Sequence, residues 1–213
     1  MKRPTVPLWG EIVLLIDATA QGEETEKTCR AWMPPTPPLQ SRYNGGVPFR
    51  IRQFEKADFD TLWRIDQACF DPRLAYSQPE MAFYMRRPGS FTLVAEAEGT
   101  EVPGNGSAVV RGSNILGFIV AETRRKTGHI ITIDVVAGAR REGVGSALLR
   151  AAEDRLLHAG ALAVELETPM NNDAAIRFYK QKGYFVEKTV AGYYANHLDA
   201  LVMMKELARS PVG

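Results

Sequence analysis

The stretch "ARREGVGSALL", Ala139 to Leu149, sets two arginines, a glutamate and two glycines directly ahead of the apolar stripe of a helix. A glycine-rich turn that opens a helix presents main-chain N–H groups without intrahelical partners, at the positive end of the helix dipole. Such a turn suits a phosphate, here a pyrophosphate. Gly143 and Gly145 lack the Cβ atoms that would keep an anion at a distance, and Arg140 and Arg141 add positive charge. The same residues also suit an ordinary helix start whose glycines permit a tight turn. Two familiar phosphate loops do not fit: Leu148 stands where G-x-G-x-x-G needs its third glycine, and the chain has no G-K-[S/T].

Outward from this loop the pattern is regular. Val144, Ala147, Leu148, Ala151 and Leu156 recur at helical spacing up to a stop at Gly160. Before the loop, the turn "RRKTG" leads into a strand, "HIITIDVV" (His129 to Val136). After the helix, "ALAVELET" predicts a strand with Leu162, Val164 and Leu166 on one face and Glu165 and Glu167 on the other. Asn171 or Asn172 then caps a short helix ending near Lys182, with Gly183 as its stop, and "YFVEKTV" and "ALVMMKEL" supply the last two strands.

Upstream, "FRIRQF" alternates like a strand, and Phe59, Leu62, Ile65 and Cys69 then follow a helical period. "SQPE" (Ser77 to Glu80) is a capping-box signature and predicts a second helix to about Arg87. "SFTLVAEA" and "NILGFIVAE" read as strands joined by a long loop, "GTEVPGNGSAVVRGS", to which no function is attached. The order, a strand, two helices, a run of strands and then a β-α-β-α-β-β series, implies an α/β chain: a mixed sheet with helices on its faces.

With 213 residues, 45% apolar and 24% charged, the chain is long enough to bury a substantial core. A net charge of +1 argues against a general nucleic-acid binder, which needs a basic excess. The two cysteines, Cys29 and Cys69, form no C-x-x-C or Cys/His cluster, so a reduced, cytoplasmic protein without a structural metal is expected. No run approaches the roughly 18 apolar residues of a membrane span, and "IVLLI" (Ile12 to Ile16) is too short for an export signal. Residues 1–47 mix charge with Pro34, Pro35, Pro37 and Pro38, and read as a disordered or loosely docked arm. The domain is expected over 48–208, and 209–213 as a tail.

Three segments together carry a resemblance. Arg140, Arg141, Glu142, Gly143, Val144 and Gly145 write R-x-x-G-x-G, which resembles the acetyl-CoA pyrophosphate loop of the GNAT superfamily of N-acetyltransferases. "NNDAAIRFYKQKGY" resembles that family's N-x-x-A-I-x-x-Y-x-x-x-G-F segment through Asn172, Ala175, Ile176, Tyr179 and Gly183, with Tyr184 where Phe is commoner. "GYYANHLDALVMMKEL" resembles the carboxy-terminal hairpin of the ribosomal-protein alanine N-acetyltransferase branch, RimI-like in its pattern. The resemblance implies the GNAT fold, a mixed, mostly antiparallel sheet of about six to seven strands with helices on both faces.

It also implies roles. Acetyl-CoA would be held by the loop, including Ser146, by Asn172 and Tyr179, and by Ile133, Asp134 and Val135, where the strand carries a bulge and parts from its neighbour. Without the resemblance these last three read equally as a buried strand with one polar position. Glu167, five residues before the capping asparagine, takes the position of the base, and with Glu165 two residues earlier on the same face, each carboxylate could raise the pKa of the other. Tyr179 takes the position of the acid for the leaving thiolate. Tyr76 in "CFDPRLAYS" and Tyr193 and Tyr194 in the last hairpin would wall the acceptor, a peptide or protein N terminus, with a ribosomal protein among the candidates. His129 and His158 read as structural and His197 as a loop residue. "CFDPRLAYS" departs from the branch, which leaves the acceptor's identity open. A small-molecule amine acetyltransferase and an inactive CoA-binding module are the rival readings, and retention of both Glu167 and Tyr179 weighs against the second.

Overall fold

The computed structural model describes residues 48–98, 113–194 and 197–207. The expected arm, the tail, Cys29 and most of the "GTEVPGNGSAVVRGS" loop lie outside them. The elements run β1 (Phe49–Gln53), α1 (Phe59–Cys69), α2 (Gln78–Arg86), β2 (Ser90–Ala97), β3 (Ile115–Arg124), β4 (Thr127–Val135), α3 (Val144–His158), β5 (Ala163–Pro169), α4 (Asp173–Gln181), β6 (Phe185–Val190) and β7 (Ala200–Glu206).

Seven strands form one sheet in the order β1-β2-β3-β4-β5-β7-β6. Five of the six neighbouring pairs are antiparallel, but α3 carries the chain over the sheet between β4 and β5, so these two are parallel. The sheet is covered on both faces. Leu148, Leu149, Ala152 and Leu156 of α3 pack with Ile119, Ala121, Ile130, Val164 and Leu166, and Tyr179 of α4 joins this cluster. On the other face Leu62 and Ile65 of α1 and Met81 of α2 pack with Val94, Phe118 and Val120.

Local signals explain the boundaries. Ser77 and Glu80 form the expected capping box at α2, and Asn172, not Asn171, caps α4 by accepting from Ala175 N–H at 3.1 Å. The face expected for Leu162 is not found: it precedes β5 and is exposed, its carbonyl accepting from Leu207 and its N–H donating to Lys126. Those two hydrogen bonds tie it to the strand ends instead of the core. Asp66, on the buried stripe of α1, is fully buried although polar.

Two irregularities shape the site. The β3–β4 ladder slips one residue at Ile131, between the pairs Val120–Thr132 and Ala121–Ile130, which is a β-bulge. The parallel β4–β5 ladder covers only Thr127 to Ile130 against Ala163 to Leu166. Beyond the bulge the two strands part, and the sheet opens between them.

Candidate active site

The opening is lined from both strands and both helical layers. A cavity of about 820 Å³ is bounded by Ile130 to Val135, Glu167 to Pro169, Arg140, Arg141, Gly143, Gly145 and Ser146, and by residues of α4 including Asn172 and Tyr179. Cys69 closes one side, and Tyr194 also reaches the wall.

Along β4 the alternation of an antiparallel ladder decides which main-chain groups face the opening. Val136 N–H donates to Leu116 at 3.0 Å, so the groups of Ile133 and Val135 turn away from β3 and those of Asp134 toward it. The Val135 carbonyl confirms the direction: it accepts from Arg140 Nε at 3.0 Å and from Cys69 Sγ at 3.5 Å. Asp134 itself is buried, with Oδ2 accepting from Thr132 Oγ1 at 2.9 Å. Burial and Asp134, against the pull of Arg140, push the Cys69 thiol up to about 11.

At the glycine loop α3 begins on Gly143, at φ 83°, with no side-chain cap. The left-handed backbone there favours glycine, and Arg141 adopts φ 67° two residues earlier. The first N–H groups of α3 therefore have no capping side chain, an arrangement that receives an anion. Gly145 is different. A Cβ there would meet Val135 Cγ2 at 3.6 Å and the Phe178 ring at 3.7 Å, ordinary contacts, so the fold itself does not demand glycine. Val144 buries its side chain in the core and Glu142 is exposed; neither lines the cavity.

Glu167 and Tyr179 approach the opening from opposite faces. His129 pairs with Glu122 and Val120 with Thr132, on the face covered by α1 and α2. Leu166 points to the α3 side, so its neighbours Glu165 and Glu167 share the face of His129. Tyr179 stands on α4, on the α3 side, 6% exposed, its ring 5.3 Å from Phe178 and 5.6 Å from Tyr184. Burial, with Asp134 nearby, raises its pKa.

His129, expected to be structural, is the residue the sequence reading missed. Its Nε2 lies 2.7 Å from Glu167 Oε2, and its Nδ1 lies 3.5 Å from Glu122 Oε1. Burial works against the imidazolium, but the two carboxylates outweigh it and lift the pKa to about 9. Glu165, also expected to feel its neighbour, has a raised pKa chiefly from burial, with Glu167 a lesser cause. Only the parallel register, which puts His129 opposite Glu165, brings the histidine to Glu167; the spacing in the chain carries no such signal.

The acceptor side is held by hydrogen bonds. Tyr76 N–H donates to the buried Asp66 Oδ2 at 2.7 Å, while its carbonyl accepts from Gln67 Nε2 at 2.8 Å and Trp63 Nε1 at 3.0 Å. Its ring is 5.3 Å from that of Tyr84, and its hydroxyl lies 3.5 Å from the carbonyl of the bulged Ile131. Tyr193 and Tyr194 stack edge to face at 5.0 Å. Burial raises the Tyr193 pKa, with the charge of Glu167 and the neighbouring tyrosines as lesser causes. Tyr76 and Tyr193 are not among the lining residues of the 820 Å³ cavity; Tyr76 packs in the core cluster on the α1/α2 side. His158 accepts the structural role expected of it, Nδ1 lying 2.6 Å from the Asp154 carbonyl at the end of α3.

Known proteins resemble this chain in sequence and fold. The profile of the acetyltransferase (GNAT) family matches residues 59–184. An N-alpha-acetyltransferase of Sulfurisphaera tokodaii is 29% identical over 170 residues, covering 76% of this chain and 95% of that protein. The solved structure of Ard1 from Thermoplasma volcanium superimposes with a TM-score of 0.64 at 28% identity, over 76% of this chain and 99% of that one. The ribosomal-protein-S18-alanine N-acetyltransferase of Escherichia coli gives a TM-score of 0.61 at 20% identity over 78% and 97%, a likeness of fold alone. The chain belongs to the acetyltransferase (GNAT) family and is an N-acetyltransferase.

Proposed function

We propose that this chain transfers the acetyl group of acetyl-CoA to the α-amino group of a protein N terminus, with Glu167 as the base and Tyr179 as the acid. One observation carries the reading: Glu167 and Tyr179 line the same cavity from opposite faces of the sheet, across the opening between β4 and β5. An amine can then approach from the α1/α2 side while the donor lies on the α3/α4 side.

The residues present fit acetyl-CoA. The uncapped start of α3, with Arg141 beside it, suits the pyrophosphate, and Gly145 leaves a space that the fold does not require. Ile133 and Val135 turn main-chain groups toward the opening, where an extended amide-bearing arm can pair with them; Asp134 contributes its buried carboxylate instead. Acetyl-CoA supplies the thioester, whose C–S bond is exchanged for a C–N bond to the amine. Glu167 accepts the proton that the amine must lose, and the Tyr179 hydroxyl, held neutral by burial, carries the proton that a departing thiolate takes. Asn172 fixes the first turn of α4 and so the direction of Tyr179.

The acceptor assignment draws on Tyr194, which lines the same cavity as Glu167, on the paired rings of Tyr193 and Tyr194, on Tyr76 packed on the α1/α2 side, and on relatives named N-alpha-acetyltransferases. The narrower acceptor, a ribosomal protein, rests on the resemblance of the carboxy-terminal hairpin. The full chain with acetyl-CoA and a panel of peptides with free and blocked N termini, lysine peptides and polyamines tests both. Mass spectrometry should place the acetyl group on the free α-amino group; modification of polyamines alone would overturn the peptide reading in favour of a small amine.

A further inference from the structure

Glu122 is an unusual residue for the middle of a sheet. It is 1% exposed on β3, and Arg87, Arg124 and His129 converge on it. Arg124, on the same strand, contacts its Oε1, and Arg87, just past α2, lies 3.2 Å from its Oε2. His129 faces it from β4 and carries the contact on to Glu167 of β5. Glu165 stands directly opposite His129 in the parallel ladder. A carboxylate, an imidazole and a second carboxylate are thus set in line inside the protein, ending at the cavity.

We propose that Glu122 is a positioning residue for acetyl transfer: from the far side of His129 it holds the imidazole as an imidazolium, and the imidazolium in turn holds the Glu167 carboxylate aimed at the acceptor. The inference rests on the reading of Glu167 as the base. Its physical basis is the geometry. A buried imidazole with one carboxylate at hydrogen-bond distance and another at ion-pair distance keeps its second proton, because losing it would strand two carboxylates beside a neutral ring. Arg87 and Arg124 balance Glu122, so the line can stay ionised without an excess of negative charge in the interior. The order of strength is also informative. The 2.7 Å contact to Glu167 orients that carboxylate, whereas the 3.5 Å contact from Glu122 supplies charge more than direction. Burial alone would push His129 the other way; its pKa near 9 agrees with the arrangement.

The full chain has three histidines, so its 15N-histidine spectrum is simple to assign, the His129 signal being the one lost in His129→Gln. His129 should remain doubly protonated at neutral pH. In Glu122→Gln its midpoint should fall by about one pH unit or more, and the inflection that His129 gives the pH profile of the acetylation rate should move down with it. Glu122→Asp should restore both. Arg124→Gln, which removes a positive charge, should move the midpoint up. A His129 that is neutral at neutral pH in the natural chain overturns the proposal even if Glu122→Gln does not fold. An unchanged midpoint in Glu122→Gln overturns it too. The underlying reading fails separately: if Glu167→Gln leaves the rate unchanged, Glu167 is not the base, whatever the charge on His129.

Discussion

The two sides of the opening between β4 and β5 are built from different materials. On the α3/α4 side the functional groups are main chain, two glycines, an uncapped helix start and a neutral tyrosine. On the α1/α2 side they are buried side chains in a charged line, Glu122, His129 and Glu167, beside a cluster of tyrosines. The first side suits a ligand that is always the same, because main-chain groups are fixed by the fold. The second can be altered by point substitution, and the proposed base and the tyrosines proposed to meet the acceptor fall there. Variants on one side should therefore leave the other's readout alone.

The strongest such separation is expected at Glu167. Glu167→Gln keeps the shape and the contact to His129 but removes the proposed base, so kcat/KM should fall by about 10²-fold or more and its rise with pH should flatten. Acetyl-CoA affinity, measured by calorimetry, should stay as it was. A variant that lost donor affinity in proportion would show that the two sides are not separable.

The charged line also predicts how stability depends on pH. The folded-state pKa of His129, about 9, lies above the ordinary value for histidine. Its contribution is thus fully present below about pH 6.5 and is lost as pH rises through 9, on the order of 3 kcal/mol in all. Glu122 has the opposite sign. Burial raises its pKa, but His129, Arg124 and Arg87 outweigh burial and the net shift is down, so its contribution is lost only on acidification. Thermal midpoints should fall between neutral pH and about pH 9.5, and His129→Gln should remove that slope. Saturating acetyl-CoA should raise the whole curve without removing the slope.

The same division separates what was legible in the sequence from what was not. The glycine loop, the Ser77 capping box, the helix stripe of α3 and the Asn172 cap are local: each depends on residues within a few positions of one another. They gave the element order and the donor side. His129 was read as structural because its partners, Glu122 and Glu167, are set by strand register, and a one-residue bulge at Ile131 alters that register without a sequence signature. Asp66 was hidden for a similar reason. Its burial is satisfied by the Tyr76 N–H ten residues on, through a loop whose path the sequence does not reveal. Leu162 went wrong at a strand end, where alternation says least about burial.

Tyr179 belongs to the donor side yet is the proposed acid, so it tests the division directly. Tyr179→Phe removes one hydroxyl from a packed aromatic cluster with Phe178 and Tyr184. Turnover should drop about tenfold or more, with acetyl-CoA affinity nearly intact. An unchanged rate would take Tyr179 out of the mechanism and leave the donor side with binding alone.

Gly145 gives the smallest effect and the cleanest contrast. It is the second residue of α3, and an added Cβ meets Val135 and Phe178 only at ordinary distances. Alanine in a helix is favoured over glycine by about 0.5–1 kcal/mol, so Gly145→Ala should hold or raise the unfolding midpoint. The same methyl group projects into the cavity that Gly145 lines and should weaken acetyl-CoA binding by about fivefold, ~1 kcal/mol. Stability and affinity then move in opposite directions. If both fall together, the glycine serves the fold and the loop is an ordinary helix start; if only affinity falls, the missing Cβ is there for the ligand.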